Sequence, residues 1–247
     1  MTSEADVAAL KEPPGSLMAV KISKAFLFRK LHSLSGIVPL GLFLFAHFYT
    51  NSKALGGAEK FNEAAGEIHS IPYLIFIEWF GIFIPLLYHA IYGLFITWEW
   101  RPNHISYPYA RNWFYAIQRA TGVILFVFIL FHVLNFRFGL VPGLNTTPIA
   151  GNADKAFAIV AGEFQIPWVV AVYVIGVVAT VWHLANGFWL FAVDWGIVIG
   201  PRAQRYAGYA CIAAGVALLA VGMNAMAAFI WKGGLLGADF WGMYGND

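Results

Sequence analysis

The sequence predicts an all-α integral membrane protein built on five transmembrane helices, and three observations lead there. Of its 247 residues, 60% are hydrophobic and 11% charged, whereas a soluble domain carries about 45–50% apolar and about 25% charged residues. Five charge-sparse runs reach the roughly 20 residues that a helix needs to cross a bilayer. Aromatic residues gather near the ends of these runs, at Trp98, Trp100, Tyr107, Tyr109, Trp113, Trp168 and Trp195, the depth at which amphipathic rings meet lipid headgroups. The net charge of +2 is small and scattered, which excludes the concentrated basic surface of a nucleic-acid binder. The one cysteine, Cys211, lies in an apolar run and excludes an internal disulfide, a structural zinc site or a Cys-ligated iron–sulfur cluster on this chain.

The spans are expected at about 31–50, 71–98, 113–136, 164–193 and 206–231. The fourth is free of charge throughout, long enough to tilt or protrude. Residues 1–30 mix acids and bases and lack the apolar core and cleavage site of a secretory signal, so they read as a retained cytoplasmic segment. Residues 31–231 then form the membrane domain and residues 232–247 a short outer tail. Lys11, Lys21, Lys24, Arg29, Lys30, Arg101, Arg111, Arg119, Arg202 and Arg205 fall on one side; Lys53, Lys60, Arg137, Lys155 and Lys232 fall on the other. The first side is expected to be cytoplasmic. The first, third and fifth spans then run outward and the second and fourth inward. The two longest connections, about 51–70 and 137–163, face outside, with turn signals such as Pro142-Gly143 and short surface helices.

Four of the seven histidines, His47, His89, His132 and His183, fall inside the spans, where ionisable residues are costly and mark function by default. One alone could be a packed residue bonded to a neighbouring helix; four in register form a pattern. Depth can be counted at about 1.5 Å per residue. His47 and His132 lie four and five residues before Asn51 and Arg137, near the outer ends of the first and third spans. His89 and His183 stand ten and eleven residues before Glu99 and Asp194, in the inner half of the second and fourth. Two imidazoles at one level on different helices can hold one metal from opposite sides, so two such sites stack across the membrane. Each pair supplies two ligands, fewer than the three or four of a zinc site. A haem with both axial positions filled by protein suits electron transfer better than oxygen chemistry.

Glycine placement points to a flat macrocycle. Gly93 and Gly187 each follow their histidine by four residues, on nearly the same face. Gly36 lies eleven residues before His47 and Gly176 seven before His183, spacings that return to within about 20° of the same face. Each ligating helix can thereby leave room for the ring at the other level, although glycine also serves plain helix packing in membranes. An internal parallel repeat supports the pairing. His32-Ser33-Leu34-Ser35-Gly36 opens the run to His47 as Gln118-Arg119-Ala120-Thr121-Gly122 opens the run to His132. His-x-x-x-Gly followed by Glu99-Trp100 recurs with Asp194-Trp195. The first four spans therefore read as a duplicated haem-binding bundle with the fifth added.

At these residues the chain resembles the single-polypeptide, five-helix, dihaem cytochrome b subunits of succinate:menaquinone reductases and quinol:fumarate reductases. The resemblance covers about 26–229. It rests on Phe28-Arg29-Lys30-Leu31-His32-Ser33, Gly57-Ala58-Glu59-Lys60-Phe61-Asn62, Pro85-Leu86-Leu87-Tyr88-His89-Ala90-Ile91-Tyr92-Gly93, Arg111-Asn112-Trp113, Gln118-Arg119-Ala120-Thr121-Gly122 and His183-Leu184-Ala185-Asn186-Gly187. It is closest to the succinate-oxidising members. It implies two haems b, the inner held by His89 and His183 and the outer by His47 and His132. It also implies a cytoplasmic flavoprotein subunit carrying FAD, an iron–sulfur subunit docked on the inner face, and menaquinone as the quinone. Homo-oligomerisation of the whole complex is left open. Some fumarate-reducing members carry a glutamate two residues before the fourth-span ligand; here that position is Val181, which argues against that proton route.

Among other polar residues, His32, Ser33, Gln118 and Arg119 lie at inner ends of the first and third spans, where haem propionates could accept charge-assisted hydrogen bonds. Interfacial snorkelling is the plain alternative for Arg119. His69 and His104 read as solvated loop residues. Glu78 is the one acid well inside a span, eleven residues before His89. Its depth is near the outer haem, where a carboxylate could hydrogen-bond a quinone and exchange protons; the alternative is a side chain reaching outward to the headgroups. The rival functional class is a transporter with a histidine proton relay. Against it, the acids sit near span ends rather than in broken helices at mid-membrane. A dihaem anchor for a hydrogenase or formate dehydrogenase is a nearer alternative.

Overall fold

The computed structural model describes residues 23–103, 105–144 and 146–237, in two units divided between Leu31 and His32. His104, Asn145, most of the N-terminal segment and the end of the C-terminal tail lie outside the described residues. In the first unit the chain is helical from Lys24, and the Lys30 ammonium sits 5.5 Å from the Phe26 ring centroid. The helices are α1 (Lys24–Gly56), α2 (Gly57–His69), α3 (Leu74–Trp98), α4 (Ala110–Arg137), α5 (Ala156–Glu163), α6 (Pro167–Asp194) and α7 (Pro201–Ala227). Five of them, α1, α3, α4, α6 and α7, are long and apolar enough to cross a membrane.

Their ends follow backbone chemistry more than hydropathy. α1 opens at Lys24, ahead of the apolar run, because Lys and Arg are good helix formers whose stems lie along the helix. α6 and α7 open with Pro167 and Pro201 after extended or positive-φ residues, Ile166 and Gly200 (φ 85°). Proline fits that first turn because its missing N–H would have no intrahelical partner there. α3 starts after Tyr73 in the left-handed region (φ 57°), and its turns widen into a π-helix over Ile77–Phe83. Pro85 stands just beyond: it cannot donate to the Gly81 carbonyl and its ring crowds that turn, which opens the helix. α7 ends at Ala227, short of the expected 231.

The two long connections do carry short helices, α2 and α5, but these are more than surface elements. Phe61 and Ala65 of α2 and Ile159 and Val160 of α5 are buried with Ala54, Phe136, Phe164, Val169, Tyr173, Met226 and Phe229. Asn62 Oδ1 accepts the Phe157 backbone N–H at 2.8 Å and ties the two helices together. This cluster caps one end of the bundle. Along the membrane segments, α6 supplies buried Val169, Tyr173, Gly176, Ala179, Val181 and Leu184, whereas the described residues of α3 include none that is buried. α6 is thus the packed strut of the fold, and α3 is the helix whose apolar surface is left for lipid.

Candidate functional site

The structure brings the four span histidines together two by two. The His47 and His132 rings stand 5.6 Å apart between centroids, at 83°, toward the capped end, where His132 also meets Phe136. The His89 and His183 rings stand 6.2 Å apart at 84°. Each pair joins two different helices, α1 with α4 and α3 with α6. A metal–imidazole bond is about 2 Å, so two rings sharing an iron would have centroids roughly 6 Å apart, a separation both pairs meet. Among the described residues no group of three or more His, Cys, Asp or Glu side chains converges as a metal site.

Local structure fixes which ring nitrogen is free. His89 Nδ1 lies 3.0 Å from the His32 carbonyl and 3.4 Å from Ser35 Oγ. A carbonyl only accepts, so Nδ1 carries the proton and Nε2 keeps its lone pair. Thr121 Oγ1 lies 3.2 Å from His183 Nδ1 and donates its own hydrogen to the Ile117 carbonyl at 2.8 Å. It therefore accepts from Nδ1–H, and His183 Nε2 is left bare as well. His132 Nδ1 lies 3.0 Å from the Tyr173 hydroxyl. His47 is flanked by Phe43, its ring 5.5 Å away. Partners on the far ring nitrogen are what fixes the tautomer and orientation of a metal-ligating imidazole.

Two of the expected glycines lie against these rings. A Cβ on Gly36 would overlap the His89 imidazole, and one on Gly122 would lie 3.2 Å from His183 Cε1. A Cβ on Gly93 would lie 3.1 Å from His32 Cε1, and one on Gly187 3.6 Å from Gln118 Nε2. Gly176 gives way to the Phe128 ring, which in turn stacks beside His132 at 6.0 Å.

The residues expected around propionates have contacts of their own. The His32 ring stacks on His89 at 4.1 Å, and its buried Nδ1 has no hydrogen-bond partner among the described residues. Ser33 Oγ accepts from Trp195 Nε1 at 3.4 Å. Gln118 braces α6, donating to the His183 carbonyl at 3.1 Å and accepting from Asn186 at 2.8 Å. The Arg119 guanidinium lies over the Tyr115 ring at 3.4 Å and near Trp100 at 5.5 Å. His69 is not in a loop but closes α2, its Nδ1 2.8 Å from the Ala65 carbonyl.

Glu78 is not alone. Arg137 Nη2 donates to its Oε2 at 2.8 Å, with the two side chains 34% and 16% exposed for Arg137 and Glu78. Sequence reading placed Arg137 on the outer surface and missed this pair, because the rotation that turns one helix toward another is not encoded in depth. Ser35, Thr121 and Tyr173 were missed too. For the first two a signal existed: a hydroxyl residue precedes the glycine in both repeat openings, Ser35-Gly36 and Thr121-Gly122.

Comparison with known proteins gives the family. Residues 101–222 match the family described as the succinate dehydrogenase/fumarate reductase transmembrane subunit. The chain is also 40% identical over 208 residues to the succinate dehydrogenase cytochrome b558 subunit of Bacillus subtilis (strain 168), across 84% of this chain and 98% of that protein. Five membrane-length helices and a match over nearly the full length of that subunit place the chain in the succinate dehydrogenase/fumarate reductase transmembrane subunit family.

Proposed function

We propose that the chain is the membrane cytochrome b subunit of a succinate dehydrogenase, binding two haems b and carrying electrons between a cytoplasmic iron–sulfur subunit and menaquinone. The observation that carries the reading is the pair of histidine couples at metal-sharing distance, with Nε2 freed on both members of one couple. The residues fit the group: Gly36 and Gly122 let the inner imidazoles seat against neighbouring helices, and the orphaned buried His32 Nδ1, when it carries the ring proton, would be satisfied by a propionate. His89 and His183 would hold the inner haem, His47 and His132 the outer one. Haem so held supplies one-electron transfer with no open position for oxygen. Ser35, with the His32 carbonyl, and Thr121 lock the inner imidazoles in the ligating tautomer.

The contacts around the inner couple also support the duplication. Gly36 lies against His89 as Gly122 lies against His183, and His32 faces Gly93 as Gln118 faces Gly187. Ser35 bonds one imidazole and Thr121 the other, as expected for two helix pairs built on one pattern. Glu78, at the level of the outer haem, is the group we assign to quinone hydrogen bonding and proton exchange, with Arg137 as its partner. Membership of the family removes the transporter reading. The same anchor role in a quinol:fumarate reductase differs only in the direction of electron flow.

A reduced-minus-oxidised spectrum of the purified complex tests this, with two b-type haems expected per chain. His47→Ala and His132→Ala should share one spectral loss, His89→Ala and His183→Ala the other. The same selective loss from His47→Ala and His89→Ala would break the pairing.

A further inference from the structure

We infer that Tyr173 is a positioning residue for His132, joining it through Asn135 to the buried Glu163 carboxylate and so lowering the reduction potential of the haem that His132 holds. The inference rests on the reading of His132 as an axial ligand. With Nε2 on a metal, the other ring nitrogen keeps its proton and donates. His132 Nδ1 is 3.0 Å from the Tyr173 hydroxyl, so the phenol oxygen accepts. Asn135 stands beside the phenol, and its Oδ1 is buried with no hydrogen-bond partner among the described residues. The Asn135 amide nitrogen carries two hydrogens: one goes to Glu163 Oε2, which leaves the other for the phenol oxygen. Asn135 therefore bridges the phenol and the carboxylate, and the Glu163 charge lies close to the phenol that holds His132.

The burial gives this chain its strength. Asn135 is 1% exposed, Glu163 3% and Tyr173 5%, so bulk water does not screen the carboxylate from the ligand's partner. The other couple lacks such an end. His89 donates to a backbone carbonyl and to Ser35, whose hydroxyl returns to the same carbonyl. His183 donates to Thr121, whose hydroxyl also ends on a carbonyl. A donated Nδ1–H raises ligand basicity, which favours oxidised iron, and a carboxylate at the far end of the chain favours it further. The fold thus applies a charge-linked bias to one haem and a neutral one to the other.

Redox titration of the two haems in the intact complex tests it. Tyr173→Phe keeps the ring that packs against Phe128, Phe131 and Phe164 and removes only the hydroxyl. It should make the His47–His132 haem easier to reduce. At fixed potential its reduced-to-oxidised ratio should rise roughly tenfold, about 59 mV for a one-electron couple, while the His89–His183 haem stays put. Glu163→Gln should move the same haem in the same direction by less. If neither substitution shifts it, the proposal is overturned; if Tyr173→Phe fails to assemble, Glu163→Gln alone decides. His132→Ala separates the two levels of the argument: loss of one haem with unmoved potentials in the other variants overturns only the relay, whereas retention of both haems removes the ligand reading beneath it.

Discussion

One hydroxyl and one ion pair beside the proposed ligands carry testable consequences, and neither is itself a ligand. Thr121 accepts from His183 Nδ1 while its own hydrogen is fixed on a carbonyl. Thr121→Val keeps the shape and leaves a buried N–H without an acceptor, at a cost of about 1–3 kcal/mol. The inner haem should then be lost first when the complex is warmed in detergent, with the outer haem retained; equal retention of both would remove Thr121 from the site. Glu78 raises a different issue, since Arg137 already holds its carboxylate at 2.8 Å. On the proposed quinone role, a quinone would reach that carboxylate by sharing it with the arginine or displacing it, so Arg137 would position the group that exchanges the proton. Glu78→Gln should lower quinone-coupled turnover by roughly a hundredfold, the scale of a lost general acid or base. Both haems, and succinate oxidation with an artificial acceptor, should persist. Unchanged quinone turnover would send Glu78 back to a plain structural ion pair.

Helices were the most legible level of this protein, and their mutual rotation the least. Hydropathy gave five spans because lipid demands long apolar helices, and counting 1.5 Å per residue paired the histidines because depth is additive along a helix. Side-chain partners such as His132 with Tyr173 or Glu78 with Arg137 depend on which helices are neighbours and how each is turned, and a single helical period carries neither. The cap was hidden for a related reason: α2 and α5 are too short to read as spans, and an apolar face on each does not say that Phe61 and Ile159 meet in one cluster. Two glycines show the difference between a site contact and a packing contact. Both Gly176, against Phe128, and Gly222, against Phe48, have no room for a Cβ, so alanine at either should overpack its interface by about 1–3 kcal/mol. Phe128 leans on His132. Gly176→Ala should therefore disturb the outer haem spectrum as well as stability, whereas Gly222→Ala should lower the thermal midpoint with the spectrum unchanged. Matching spectra in the two variants would mean that Phe128 does not support the ligand.

Orientation belongs to the assembled complex, and here the charge pattern and the cap make one argument. We expect the connection through Arg101 and the turn before α7 through Arg202 to be cytoplasmic because Lys and Arg concentrate there in the sequence. The opposite end is closed by α2, α5 and the buried cluster between them. A closed cap suits the face that meets no partner, because its apolar residues are already covered from within the chain. The flavoprotein and iron–sulfur subunits are therefore expected at the uncapped end, next to the His89–His183 couple, where the electron path from an iron–sulfur cluster to a haem is shortest. Single cysteines introduced near Arg101 or Arg202, in a background with Cys211 replaced, should be shielded from a soluble maleimide in the complex and labelled once the soluble subunits are stripped. A cysteine at Lys60, an exposed position on α2, should react from the outside of intact cells in both states. Protection at Lys60 together with free labelling at Arg202 would invert the topology and put the Tyr173 and Glu78 clusters, rather than the His89–His183 couple, beside the iron–sulfur subunit.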